Sequence, residues 1–547
     1  MKQTQFTVKG QPFFSLGGQT HNSSSYFPDD MDISFQSVRG LGGNTVSTPL
    51  PWDRFEPVEG QFDDAYVKAL IDQARRHQMR LILLWFATWK NGTMEYTPRW
   101  VNQDPARFAR TLQPDGTPTA VLSCHCDTNR IADQTAFCRL MEILRDYDGE
   151  EQTVIAVQIE NEPGILGPVR RDFGPDGARD FAADVPQALL DYAAEHPQSR
   201  LAAFWQAAGK HPGGNWTTVF GRYGAEACSA WHTARYIDQI AAAGRAVHDV
   251  FLYANVWLDG ASEGDAWDLG GLEYPCGGAV SKSLDVWYAA CHSLDAIAPD
   301  IYAPDPQRHL ENQTIYANPE QGWPLFVPES HAAGLNATLM FHAIGRLGAI
   351  GYHIFGSESC LDEQGELRES ARPMQRSFAM INAAMPLILK HRSDGRMQAI
   401  LQRAGSANRH LACGGWKCAA YFQGGGEPWN AMDFRHHQAI ESERVPVTDI
   451  RSESGRALLF QVDDNEFYLV GHRVRLQFHR PEPDDGSIPA IWLNAGMQAN
   501  STETLYVEEG EFVDGRFVVR RIRSGDEARH GVWAQADCGV IHFALCD

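Results

Sequence analysis

Through the first 390 or so residues, short apolar runs that end in turn residues alternate with longer stretches whose apolar positions recur every three or four residues. The runs are too short for buried helices and read as strands: Phe13 to Leu16, Asn44 to Ser47, Leu81 to Phe86, Val154 to Ile159, Val250 to Trp257, Leu294 to Tyr302, Pro324 to Val327 and Ala349 to Phe355. Between them lie helical patterns. Asp63 is placed to cap a helix whose buried face is Tyr66, Val67, Leu70, Ile71 and Ala74, and Phe137, Leu140, Met141 and Leu144 mark one face of a helix over Asp133 to Arg145. Further helices are expected over Asp29 to Arg39, Ala230 to Gly244 and Ala337 to Leu347. Eight strand and helix units in strict alternation predict an α/β fold, a parallel (β/α)₈ TIM barrel.

Two of these strands end in a carboxylic acid. Val154-Ile155-Ala156-Val157-Gln158-Ile159 runs into Glu160-Asn161-Glu162-Pro163-Gly164, and Pro324-Leu325-Phe326-Val327 runs into Pro328-Glu329-Ser330. By count these are strands 4 and 7, and the C-terminal ends of barrel strands are where catalytic groups sit. Glycoside hydrolysis needs two carboxyl groups, one to protonate the leaving oxygen and one to attack the anomeric carbon or activate water. Glu162 and Glu329 are the candidate pair. Glu160 lies one pleat repeat before Glu162 on the same strand face and is its internal rival, expected to be a structural or sugar-contacting carboxylate.

The motifs around these strands resemble a clan A retaining glycosidase, specifically glycoside hydrolase family 35. The likeness lies in Gly43-Asn44-Thr45-Val46, Trp52 with Glu56-Pro57-Val58-Glu59-Gly60-Gln61-Phe62-Asp63, Pro98-Arg99-Trp100 and Gln158-Ile159-Glu160-Asn161-Glu162. Trp85-Phe86-Ala87-Thr88-Trp89-Lys90-Asn91-Gly92 is similar to a bacterial branch often called β-galactosidase, which carries a C-terminal domain of unknown function. The resemblance implies that Glu162 is the general acid/base and Glu329 the nucleophile. It also implies that Asn161 meets the sugar 2-hydroxyl and that Tyr302 lies beside the nucleophile, where a phenol hydrogen bond would stabilise the anion. The better-known members carry an aromatic followed by Asn-Ala-Glu in the strand-3 loop, and this chain departs from them there. Trp89 and Asn91, with Trp257 at the end of strand 5, are therefore candidate sugar contacts; Trp85 and Tyr96 belong to the same cluster near the mouth, with barrel core the alternative for Trp85, and Trp100 reads as helix packing. The implied activity is a retaining exo-β-glycosidase, most readily a β-galactosidase acting on an oligosaccharide or glycoside. The alternatives are a β-glucosidase, a β-glucosyl transglycosylase, or a catalytically silent carbohydrate-binding protein.

Composition narrows the partners. A formal net charge of −22 over 547 residues disfavours nucleic acid or an anionic membrane surface. With no signal-like start or membrane-length apolar run, a cytoplasmic protein is expected. Eleven irregularly spaced cysteines suggest no disulfide framework. Ser123-Cys124-His125-Cys126-Asp127 lacks a second ligand pair at zinc spacing, since only Cys138 is near, so neither a metal nor another cofactor is expected. Domain organisation is read as a barrel over residues 1–392, with a long insertion at about 163–249, and a C-terminal β-sandwich over 393–547. The sandwich reading rests on short strands at Leu458 to Val462, Glu466 to Gly471 and Arg516 to Ile522. Its role as carbohydrate binder, barrel support or homo-oligomer contact is left open.

Overall fold

The computed structural model describes residues 2–259, 270–332, 334–402, 408–422, 454–479, 504–524, 526–529 and 531–546. Eight strand positions form one parallel sheet: β1 (Ser15–Gln19), β2 (Thr45–Pro51), β3 (Arg80–Lys90), β4 (Val154–Asn161), β5 (Phe251–Trp257), β6 (Ala296–Ile301), β7 and β8 (Gly351–Phe355). Strand β7 is in two pieces. Phe326–Val327 pairs with β8 and Glu329–Ser330 pairs with β6, separated by Pro328, which has no N–H to give to a ladder. The two ends of the strand order thus meet at one proline, and the sheet is a nearly closed barrel with helices outside it, consistent with the TIM architecture.

Local sequence explains the packing. Asp63 caps the helix Asp64–Arg76 by accepting from the Tyr66 N–H at 3.0 Å, and that helix buries Tyr66, Val67, Leu70, Ile71 and Ala74, as its periodicity predicts. The barrel interior is filled by Ile82, Leu84, Phe86, Tyr253 and Phe326. A hairpin that the apolar pattern does not reveal, Phe6–Val8 with Gln11–Phe13, closes its N-terminal end. Phe6 sits 4.6 Å from the Phe251 ring and 5.2 Å from Phe326, so the cavity can open only at the other end.

Between Glu162 and β5 the chain builds several helices, including Pro175–Ala182 and the long Gly224–Val247. Beyond Met397 the strands are antiparallel, in a six-stranded sheet and a four-stranded sheet. One face of the six-stranded sheet shares a core with the four-stranded sheet through Phe467, Phe478 and Phe543. Leu458, Phe460 and Val470 belong instead to the core of the barrel helices. Arg456 is fully buried at this junction, donating from Nε to Ser377 Oγ at 2.9 Å and from Nη2 to the Pro373 carbonyl at 3.2 Å. The two parts are therefore packed as one body.

Leu458→Ala should lower the unfolding free energy by about 2–5 kcal/mol, the usual cost of a buried cavity. Removal of residues 393–547 should bare the same apolar face and give an aggregating protein. Calorimetry of the full-length variant and light scattering of the truncated chain check these outcomes; a monodisperse truncation with an unchanged melting temperature would contradict them.

Candidate active site

At the open end of the barrel, β3 continues to Lys90 and turns back through Asn91-Gly92. Asn91 has φ +52 and Gly92 φ +68, the left-handed pair of a two-residue type I′ turn, closed by hydrogen bonds in both directions between Lys90 and Thr93. A Cβ on Gly92 would come within 2.8 Å of Leu166 and 2.9 Å of Pro275, so glycine is needed for space as well as for its φ. The hairpin docks on the end of β4. Asn91 N donates to Asn161 O at 3.1 Å and Gly92 N to Glu162 O at 3.0 Å. Glu160 (φ +63) and Glu162 (φ +48) themselves adopt the left-handed region. A non-glycine residue there costs about 1–3 kcal/mol, and two on one strand end indicate a backbone held for a purpose other than stability.

The two glutamates face different surroundings. Glu160 is completely buried and does not reach the cavity; one carboxylate oxygen accepts from Trp89 N at 2.7 Å. Its other oxygen has no donor and meets Asp133, itself buried, which accepts from Trp85 Nε1 at 2.8 Å and Thr88 Oγ1 at 2.7 Å. Burial, followed by the Asp133 charge, drives the Glu160 pKa well above the ordinary range, and burial raises Asp133 as well. Glu160 is thus structural.

Glu162 lines a cavity of about 630 Å³, together with Glu329, Asp300, Lys90, Asn91 and Tyr302. Its backbone N–H is fixed by Asn255 Oδ1 at 2.8 Å. Burial first, then the charge of Glu329, raises its carboxyl to about 7, against a smaller opposing pull from Lys90. Glu329 has two donors, Gln19 Nε2 at 2.9 Å on one oxygen and Tyr302 O–H at 2.8 Å on the other. Asp300 pairs with Glu329 across β6 and β7, accepts from Asn255 Nδ2 at 2.7 Å, and hydrogen-bonds Glu162. Burial and its two acidic neighbours push Asp300 well above the usual carboxylate range. Lys90 is 4% exposed, its ammonium lies 4.8 Å over the Phe86 ring, and that ammonium makes no hydrogen bond or ion pair with described residues.

Of the residues singled out in the sequence, Glu162, Glu329, Tyr302, Asn91 and Trp257 line this cavity. Trp89 does not: it is 1% exposed, packed edge-on against Tyr236 at 4.9 Å, and so forms barrel wall. Asn161 sits just behind, its oxygen accepting from Gln158 at 3.2 Å and Asn255 at 3.1 Å while its amide donates to Asn91 at 3.1 Å. Trp85 and Trp100 are packing residues, the latter 5.7 Å from Trp52. Sequence reasoning missed Asp300, Asn255, Gln19 and Lys90. Asp300 and Gln19 sit at strand ends, the position that identified Glu162, so inspection of every barrel strand's last residues for polar groups would have found them.

Residues 374–535 match a family described only as a domain of unknown function, DUF5597. A β-galactosidase of Xanthomonas manihotis is 28% identical over 197 residues, which is 34% of this chain and 30% of that protein's length. Similar folds include the β-galactosidase of the psychrophilic Marinomonas ef1 (13% identity, TM-score 0.44, covering 72% of this chain and 62% of that one). The catalytic domain of a Paenibacillus polymyxa β-amylase is another (13% identity, TM-score 0.45, covering 67% and 98%). Among the described residues no helix is long and apolar enough to cross a membrane.

The raised Glu162 carboxyl has a thermodynamic consequence. Folded Glu162 keeps its proton to about 7, whereas an unfolded glutamate releases it near 4.5, so the folded state binds more protons in that window. Its contribution is fully present below pH 4.5 and is lost as pH rises through 7, a change on the order of 3 kcal/mol. Glu162→Gln should flatten that loss and make the protein more stable than wild type at pH 8 but not at pH 4.5. Urea unfolding at the two pH values measures it; equal differences would show that Glu162 is not desolvated.

Proposed function

We propose that this protein is a retaining β-glycosidase, a member of glycoside hydrolase family 35 that acts from the non-reducing end and prefers β-galactosides. The observation that carries the reading is the asymmetry of the two carboxyls in one cavity, Glu162 protonated near neutral pH and Glu329 held by two donors. Glu162 donates its proton to the glycosidic oxygen while Glu329 attacks the anomeric carbon and forms a glycosyl ester. That ester removes the Glu329 charge, the second cause of Glu162's raised pKa. Glu162 then becomes a stronger acid, whose conjugate base suits removal of a proton from the incoming water. The same event explains acid and base from one residue. Asp300 orients Glu162, and Lys90 and Asn91 supply unspent or partly spent donors for sugar hydroxyls. The C-terminal sheets are read as a β-sandwich that supports the barrel over residues 393–547.

Kinetics separate the roles. Glu329→Gly should abolish turnover of all substrates, with azide then yielding a glycosyl azide of inverted configuration. Glu162→Ala should keep the glycosylation step for dinitrophenyl glycosides, whose leaving group needs no proton, and lose about 10²–10⁴ or more on natural glycosides. Azide should there give the retained product. NMR of the first-formed anomer in the wild type tests retention directly, and an inverted product would end the reading.

Sugar choice is expected to lie in the β3 hairpin. Asn91→Ala should change the galactoside to glucoside ratio of kcat/KM, since an unpaired buried polar group penalises one epimer by about 1–3 kcal/mol. A panel of nitrophenyl glycosides measures this; equal losses on both sugars would place specificity elsewhere and keep β-glucosidase as the alternative.

A further inference from the structure

Away from the cavity, the long segment between β4 and β5 folds back on the loop that contains Cys124-His125-Cys126. Three side chains from three separate elements converge there: His125 from the loop, Asp180 from the helix Pro175–Ala182 and His232 from the helix Gly224–Val247. Both imidazoles face one carboxylate oxygen, Asp180 Oδ2, with His125 Nδ1 at 2.8 Å and His232 Nδ1 at 3.8 Å. The rings are 4.3 Å apart, and all three ligand atoms lie within 4.8 Å of one another. Bonds of about 2.0–2.1 Å to a tetrahedral ion place ligand atoms about 3.3 Å apart. The two observed spacings bracket that edge, so an ion needs only small side-chain shifts.

Surrounding groups orient the ligands. Arg179 Nε donates to the other Asp180 oxygen at 3.1 Å, and Trp216 Nε1 donates to the Asp180 carbonyl at 3.1 Å, the outer-shell pattern that aims a ligating carboxylate. His125 has a 2% exposed side chain, while Asp180 and His232 keep 20% and 25%, which leaves one side open for entry. Two thiols are at hand. Cys124 precedes His125 in the loop, and Cys228 lies one turn before His232 on the same helix face. Imidazole, carboxylate and thiol donors suit zinc-class ions rather than magnesium or calcium.

We propose that His125, Asp180 and His232 form a structural site for a zinc-class divalent cation, clasping the β4–β5 insertion to the loop before the helix Asp127–Ile143. That helix carries Asp133, and one turn beyond His232 the Gly224–Val247 helix carries Tyr236, whose hydroxyl lies 2.8 Å from Thr88 Oγ1 and 3.4 Å from Asp133. The clasp would tie down the wall behind β4 without touching the cavity. It stands apart from the glycosidase reading, because its test is metal content.

The full-length protein, stripped with EDTA and dialysed, should take up one equivalent of Zn²⁺ or Co²⁺, with the Co²⁺ form showing the strong visible absorption of a four-coordinate ion and a higher melting temperature. His232→Ala and the isosteric Asp180→Asn should each weaken binding by about 100-fold or more and abolish the thermal shift. If His232→Ala fails to fold, Asp180→Asn carries the comparison. No Co²⁺ spectrum in the wild type, or the same affinity in wild type and Asp180→Asn, would overturn the site. Loss of binding in Cys124→Ser/Cys228→Ser with both histidine and aspartate variants unaffected would likewise overturn it in favour of adventitious thiol binding.

Discussion

A carboxyl group taken out of water must keep a proton, find donors, or do both, and the mouth of this barrel is organised around five that meet the problem in different ways. Glu160 and Asp133 lie against each other in the wall, both pushed up by burial. Asp300 is pushed up beside Glu162. Glu329, in the cavity, has an N–H donor on one oxygen and an O–H donor on the other. The charge of one carboxylate pushes its neighbours in the same low-dielectric space toward the neutral form, so the proposed division into acid and nucleophile rests on placement rather than on any difference in side-chain chemistry.

The strand end that achieves this is strained, and the strain is held from several directions. The Asn91-Gly92 hairpin binds the β4 carbonyls, Asn255 holds the Glu162 N–H, and the Glu160 carboxyl binds the backbone of Trp89. Left-handed backbone at residues 160 and 162 sends Glu160 into the wall and Glu162 into the cavity. A regular strand would have put both on one face. The rivalry between these glutamates is settled by two backbone dihedrals.

Much of the barrel was legible in the sequence, because apolar periodicity reports which faces are buried and each strand is ended by turn chemistry. The Asp63 cap and its helix face are a direct instance. The N-terminal hairpin was not legible: its strands are three residues each, too short for a period to show. Glu162, Glu329 and Tyr302 were readable as polar residues ending apolar runs. Trp89 was read as part of a loop because the apolar run was taken to end at Phe86, whereas β3 continues to Lys90 and holds Trp89 in the barrel wall. Asn255 was overlooked because it lies within its strand's pattern and becomes notable only when neighbouring strands bring it beside Glu162; Asp300, at the end of β6, was passed over for Tyr302 two residues on. Likewise, the absence of a second ligand pair near Cys124 is a statement about sequence distance, which a long insertion can cancel.

The Asn91-Gly92 turn also bears on how the protein ages. Asparagine before glycine is the pair most prone to lose its amide, because the following backbone nitrogen can attack the side-chain carbonyl and close a five-membered imide. Here that nitrogen is engaged with Glu162 O, and the Asn91 oxygen accepts from Asn161. Docking of the hairpin therefore shields Asn91 from its own neighbour, and each opening of the turn is an opportunity for irreversible conversion to aspartate or isoaspartate. The shelf life of the cavity is set by the fraction of time this one turn spends undocked.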